Sequence, residues 1–347
     1  MFIKEVMQMK FALGLDMHKE SIVYALITKE GKIHQEGNIK QSQKAVLELV
    51  EWIPKDQIIV GMESSTYIYP IYDALNDAGY KVKVAHPTKL TRITKSASKN
   101  DEKDALHIAR QLLRDDFPES YMLSKEMRDK RELVRQHFRL TAEQTRVKNQ
   151  IHSLIAKHNY RLKSKLGTKK SIEFLKEIPL PNYAKITLNL LLDQMLRIKA
   201  SLRVIKNELH HEALRNEEMQ KIMRLDGIFE FSAATFFFEL GDWHRFKSVS
   251  ELTSYVGLIP TMSSSAGKTY HGRMRFDGNH YIKYTFTRAA EQAIRKENKF
   301  QNYFNKLISR GKKRRTALCA VANKMIRTCY GVLHNEELAN QALLEKG

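Results

Sequence analysis

Residues 11–39 read FALGLDMHKESIVYALITKEGKIHQEGNI, and this stretch decides the fold class. Three short runs, FALGLDM, SIVYALITK and KIHQEGNI, are rich in residues that suit a pleated, half-buried chain. Turn signals separate them, notably Glu30-Gly31-Lys32. The spacing predicts three consecutive strands. Working outward, KAVLELVEWI has a helical pattern stopped by Pro54, and QIIVGMES reads as a buried strand. YPIYDALNDAG reads as a helix ending at Gly79, a usual position just past a helix C-terminus. KVKVAHP is a fifth strand, closed by Pro87.

The predicted order is β-β-β-α-β-α-β-α. Three strands before the first helix argue against a plain doubly wound sheet. They suit the mixed sheet of the ribonuclease H architecture, which the RuvC resolvases share. The expectation is an α/β domain over residues 1–118. Four acidic residues mark it: Asp16 and Glu63 end apolar strand runs, while Asp101 and Asp104 lie three apart where a helix should begin. Residues three apart on a helix project from one face, whereas Glu102 lies about 100° round it. Carboxylates near strand ends and helix starts are common as caps, so no single one is diagnostic. Together, in this strand order, they predict a ligand set for Mg²⁺ or Mn²⁺ made of hard oxygen donors.

The middle region, residues 119–224, is predicted to be helical. Leu133, Leu140, Val147 and Leu154 recur every seven residues, with Ile151 beside them. Arg128, Arg131, Arg135, Arg139, Arg146 and Lys157 fall on the opposite side, giving an apolar seam and a basic stripe. A second seam, Leu188, Leu191, Met195, Ile198, Leu202, Ile205 and Leu209, has coiled-coil spacing. It predicts either an internal helix hairpin or a contact with a second subunit. The last region, 225–347, reads as mostly helical around a Ser/Gly-rich loop, with a basic turn Lys312-Lys313-Arg314-Arg315 leading into a helix.

The chain has 347 residues and a formal charge of +20, with 59 Lys plus Arg against 39 Asp plus Glu. That excess points to a polyanionic partner, DNA or RNA. No stretch approaches the ~20 continuous apolar residues of a spanning helix, which predicts no membrane partner. The start lacks a signal-peptide core. Two cysteines, Cys319 and Cys329, suit a reducing cytoplasm and exclude a Cys-rich zinc site.

From Leu252 the chain reads LTSYVGLIPTMSSSAGKTYHGRMRFDGNHYIKYTFTRAAEQA. By composition alone the Ser/Gly run is a flexible linker, and no Ser-His-Asp spacing accompanies it. Lys268, Arg273 and Arg275 lie close by in sequence. Taken with GLDMHKES, GMESSTYIYPIYDAL, VKVAHP, KNDEKDALHIA, SYVGLIP and SRGKKRRTALCAVANKMI, the chain resembles the insertion sequence one-ten family of transposases, which includes the Piv-type DNA invertases. The resemblance runs over nearly the whole chain.

That resemblance implies that Asp16, Glu63, Asp101 and Asp104 form a RuvC-like metal site. It implies a serine nucleophile at Ser265, with Ser264 and Ser263 as alternatives. It also implies a non-coding guide RNA from the element, pairing with target and donor DNA, which would give the arginine stripe a phosphate backbone to follow. Three departures are visible: Ala266 replaces the glycine beside the serine, Thr66 replaces a frequent glycine, and Phe229 replaces the second glycine of LDGIFEF. The expected enzyme is a dimeric or larger DNA recombinase acting near the nucleoid through a phosphoserine intermediate. The rival readings are a RuvC-like nuclease using water, and a nucleic-acid-binding protein without catalysis.

Overall fold

The structure is a computed structural model that describes residues 10–86, 101–114, 117–265, 268–274 and 277–335. Residues 101–103, 260–265 and 268–274 are described by backbone placement alone. The chain divides into two compact units, Met1–Met122 and Leu123–Gly347.

In the first unit, strands β1 (Phe11–Met17), β2 (Ser21–Thr28), β3 (Ile33–Lys40), β4 (Ile58–Glu63) and β5 (Lys81–Ala85) form one sheet in the order β3-β2-β1-β4-β5. β1 pairs antiparallel with β2 and parallel with β4, so the sheet is mixed, as the three leading strands predict. Helices α1 (Gln43–Val50) and α2 (Ile68–Asp77) contribute Val46, Val50, Ile68, Ile71 and Leu75 to one face. There they meet Leu13, Leu15, Met17, Val60 and Met62.

The other face is covered by α3 (Asp101–Leu112). Ala12 and Ile59 meet Ile108, Ala109 and Leu112, while Val23 and Ala25 meet Ala105. A glycine makes this seat possible. A Cβ on Gly14 would stand 2.0 Å from the Ala105 carbonyl oxygen and 2.7 Å from the Ala109 nitrogen. Backbone this close to backbone excludes any side chain. Gly61 faces the same helix, where a Cβ would meet the Leu112 side chain at 2.8 Å.

The second unit begins with α4 (Lys125–Lys157), followed by α5 (Lys169–Glu177) and α6 (Asn182–Arg215). Ser124 caps α4 by accepting a hydrogen bond from the Met127 N–H. α4 and α6 pair antiparallel within the chain: Gln194 reaches Glu143 at 2.9 Å, and Lys130 reaches Glu212 at 2.7 Å. The second seam is therefore closed within the chain, the internal-hairpin alternative of the two. Leu188, Leu192, Met195, Ile198, Leu202, Ile205 and Leu209 are its buried residues, so Leu192 stands where the heptad reading had Leu191. On α4 the buried positions are Val134, Val147, Ile151 and Ile155, with Leu133, Leu140 and Leu154 only half-buried.

The remaining helices are α7 (Glu217–Met223), α8 (Glu230–Leu240), α9 (Val249–Val256), α10 (His280–Ala293), α11 (Lys299–Ser309) and α12 (Arg314–His334). α8, EFSAATFFFEL, is apolar almost all round, and Ser232–Leu240 are all buried. A helix of that composition belongs at the centre of a core, and Phe236 and Phe238 lie in one with Phe286, Phe300, Val321 and Met325. The expected Ser/Gly loop is instead a hairpin: β6 (Pro260–Ser265) pairs antiparallel with β7 (Lys268–Met274). Two intervening residues and the β-type run KTYHGRM give the physical reason.

Candidate active site

Register places the first two acids side by side. Leu15 pairs with Met62 in the parallel β1–β4 ladder, so Asp16 and Glu63 follow as the next neighbours at the C-terminal ends of adjacent strands. Strand alternation puts both on the face of Gly14 and Gly61, which is the α3 face. Ala105 packs near Val23, the residue opposite Asp16, while Leu112 lies toward Ile59. The first turn of α3 therefore lies at the end of the sheet where Asp16 and Glu63 stand. Asp101 begins that helix and Asp104 is one turn in and exposed.

Two neighbours join this group that the sequence reading left without a role. His18 Nε2 lies 3.3 Å from Asp16 Oδ2. His107 follows Asp104 by one turn on α3, and its pKa is lowered by burial first and Arg114 second, against the opposing pull of Asp104. The i, i+2 spacing across the strand end and the i, i+3 spacing on a helix are the available signals. Among the described residues no three His, Cys, Asp or Glu side chains are close enough to hold a metal ion. The Asp101 side chain lies outside them. The donor set still fits a hard cation, since Asp16, Glu63 and Asp104 offer carboxylate oxygens and the group contains no thiolate.

In the second unit the hairpin carries Ser263, Ser264 and Ser265 opposite Tyr270, Thr269 and Lys268, with Ser265 the last residue of β6. Lys268 and Arg273 lie on β7; Arg275 is outside the described residues. The base of the hairpin is tightly built. Gly257, in the left-handed region at φ 75°, ends α9. A Cβ on Gly278 would lie 2.5 Å from the Gly257 Cα. The Asn279 N–H donates to the Tyr255 carbonyl at 2.8 Å. The Asn279 side chain accepts from the N–H groups of Tyr281 and Ile282, capping α10, and donates to Glu239 Oε2 at 2.9 Å.

The basic residues divide by environment. Arg135 is committed to Glu239 through two hydrogen bonds, and its guanidinium lies 4.7 Å from the Tyr281 ring centroid. Arg139 hydrogen-bonds Glu132 and Gln136 on its own helix. Arg128 donates to the Leu123 carbonyl. Arg131 is half-buried, and Arg146 and Lys157 are exposed. Lys312, Lys313, Arg314 and Arg315 are exposed around the start of α12, where Arg314 lies over the Phe304 ring at 5.6 Å. Phe229 is exposed just before α8, while the preceding Gly227, at φ 81°, lies against the Ala289 backbone.

Neighbouring carboxylates at one end of a mixed sheet, in a chain of formal charge +20, point to the class of enzyme that works on nucleic-acid phosphates. Comparison with known proteins makes the assignment specific. An IS110-type DEDD transposase model matches residues 13–159, and the transposase model of the IS116/IS110/IS902 family matches residues 219–305. The chain is 25% identical to the transposase for insertion sequence element IS1111A of Coxiella burnetii over 94% of this chain and 90% of that one. It is 20% identical to a probable family 20 transposase of Pseudomonas aeruginosa over 93% and 97%. It is 21% identical to the IS1328 transposase of Yersinia enterocolitica over 92% and 96%. The chain belongs to the IS110 family of insertion-sequence transposases, which are DNA-cutting recombinases. No described helix is long and apolar enough to cross a membrane.

Proposed function

We propose that this transposase has a RuvC-like catalytic domain in which Asp16, Glu63, Asp101 and Asp104 hold Mg²⁺ or Mn²⁺, and that Ser265 is the nucleophile. The observation that carries the reading is the placement of Asp16 and Glu63 as neighbours on the sheet face beneath the first turn of α3. The ions would supply charge neutralisation at the scissile phosphate and stabilise the leaving oxygen. His18 orients Asp16 through their 3.3 Å contact. The Ser265 oxygen attacks phosphorus, a serine–phosphate bond forms, and the bond to the 3′-oxygen breaks. The serine proton is lost to the surroundings and the 3′-oxygen leaves as a hydroxyl. Attack by a 3′-hydroxyl of the partner strand on the phosphoserine reverses the sequence and frees the serine. One phosphodiester replaces another, so no ATP is consumed.

The reaction needs the acids and the serine at one phosphate, within a subunit or across two. Two duplexes must be cut, which argues for a dimer or tetramer. With the α6 seam closed, the exposed apolar residues near its start, Tyr183, Ile186 and Leu190 at spacing i, i+3, i+7, offer one face for such a contact. The expected three parts, 1–118, 119–224 and 225–347, would carry metal site, nucleic-acid helices and serine hairpin in turn, the last two within one compact unit. Arg128, Arg131, Arg139, Arg146 and Lys157 follow the backbone of the DNA or of the guide RNA, while Arg135 leaves the stripe. Lys268, Arg273 and Arg275 serve the DNA near the serine. Lys312–Arg315 crowd positive charge at a helix N-terminus, an arrangement that a phosphate relieves.

The test is cleavage of the element's end DNA, with its non-coding RNA and Mg²⁺. Asp16→Asn and Glu63→Gln should each lower the rate at least a hundredfold while leaving DNA binding within twofold. Cleavage at the native rate in both variants would refute the metal assignment.

A further inference from the structure

A cavity of about 650 Å³ opens in the second unit between the middle of α4 and the first turns of α10. Phe138, Thr141 and Thr145 on α4 face His280, Tyr281 and Tyr284 on α10. Its size falls in the range of small-molecule sites. Its back wall is fixed: the Phe138 ring lies 5.2 Å from Phe231, 5.0 Å from Tyr281 and 5.9 Å from Tyr284, and the Arg135 guanidinium lies 4.7 Å from the Tyr281 ring centroid. Tyr284 is 55% exposed, an aromatic surface offered to solvent beside an apolar hollow.

The polar groups there are few: two threonine hydroxyls, two tyrosine hydroxyls and one imidazole. Thr141 donates to the His137 carbonyl at 2.8 Å, and Thr145 donates to the Thr141 carbonyl at 3.0 Å. Both hydroxyls keep acceptor capacity toward the cavity. Among the described residues no acidic side chain lines it. Arg139 and Arg146, with side chains 52% and 69% exposed, stand one residue beyond Phe138 and Thr145 along α4. Flat aromatic faces, a few hydroxyls at the rim, and bordering cations suit a stacked base carried on a phosphate chain.

The position in the chain is informative. α10 begins six residues after β7 ends, and its Asn279 cap also ties the hairpin base to Glu239. We infer that this cavity receives an unpaired base of a single-stranded DNA segment, stacked on Tyr284 and backed by Phe138 and Tyr281. The inference deepens the proposed recombination reading and rests on it, since strand exchange exposes unpaired bases beside the cut. It adds a stacking site that would hold the displaced strand near the serine hairpin without reading its sequence.

The experiment is equilibrium binding of the full chain, in EDTA, to single-stranded oligonucleotides carrying one 2-aminopurine, read by fluorescence. Omitting metal removes the chemistry, so failure here is distinguishable from failure of the catalytic assignment. Tyr284→Ala should weaken single-strand binding roughly tenfold and abolish the quenching. Tyr284→Phe should restore both, and duplex binding should change less than twofold. Unchanged melting by circular dichroism confirms that the exposed substitution leaves the fold intact. The inference is overturned by equal single-strand affinity in Tyr284→Ala, or by an equal loss on duplex. It is also overturned by a loss confined to single-stranded RNA, or by Tyr284→Ala converting a self-associated protein to monomer.

Discussion

Arg135 on α4 and Glu239 on α8 form a two-pronged ion pair, Nε to Oε1 at 2.7 Å and Nη2 to Oε2 at 2.8 Å, with the Glu239 side chain only 1% exposed. The same carboxylate receives Asn279, and the Glu239 carbonyl accepts from the Tyr255 hydroxyl at 3.2 Å. Glu239 thus joins α4, α8, α9 and the cap of α10, and the serine hairpin runs between the last two. The pair raises the Arg135 pKa, its hydrogen bond to Glu239 outweighing burial.

Removing one partner leaves the other charge stranded, which costs about 3 kcal/mol or more. Arg135→Met should therefore lower the urea unfolding midpoint strongly. The double variant Arg135→Met, Glu239→Leu should recover part of the loss, because both charges are gone. Urea titration of the three proteins checks this; a double variant as unstable as the sum of the singles would show that no coupling exists.

Much of the first unit was legible because its information is local. Alternating apolar runs, turn residues and the stop at Pro54 specify strands and helices directly, and strand alternation then gives the face on which Asp16 and Glu63 stand. The role of Arg135 was not legible. Periodicity places it opposite the α4 seam, but α4 is packed on two sides in its first half, against α6 through Val134 and against α8 through Arg135. A single-helix pattern carries no sign of that second neighbour. The hairpin was hidden for a related reason: Ser and Gly weigh toward loops, while the pairing partner that makes Pro260–Ser265 a strand lies beyond the turn.

Gly14 and Gly61 face the same helix with unequal tolerance. A methyl at Gly14 meets backbone atoms of Ala105 and Ala109, which cannot turn aside, whereas at Gly61 it meets the end of the Leu112 side chain. Gly14→Ala should cost about 3 kcal/mol, and Gly61→Ala about 1 kcal/mol. Chemical denaturation of the full chain measures both. Because Gly14 seats the helix that carries Asp101 and Asp104, DNA cleavage should fall with Gly14→Ala before binding does. Equal, small effects at both glycines would contradict the tight seat of α3.

His137 supplies a pH dependence. Its ring lies 4.1 Å from that of Phe231, and among the described residues neither ring nitrogen has a hydrogen-bond partner. Burial first, and Lys206 second, lower its pKa from 6.5 to about 4. The folded protein therefore refuses a proton that the unfolded chain accepts between those values. Stability from this residue is complete above pH 6.5 and declines as pH falls toward 4, by on the order of 2 kcal/mol after allowance for partial exposure. His137→Phe should flatten the fall in urea midpoint across that window. Parallel profiles for the two proteins would contradict the assignment.

The proposed mechanism requires that Ser265 become covalently joined to DNA. The direct measurement is a reaction with labelled element-end DNA, cognate RNA and Mg²⁺, stopped by denaturant, digested, and mapped by mass spectrometry. The account predicts a nucleotide-bearing peptide modified at Ser265, absent from Ser265→Ala and retained in Ser264→Ala and Ser263→Ala. DNA cleaved at the native rate by Ser265→Ala, with no adduct on any serine, would contradict it and leave a water-using nuclease.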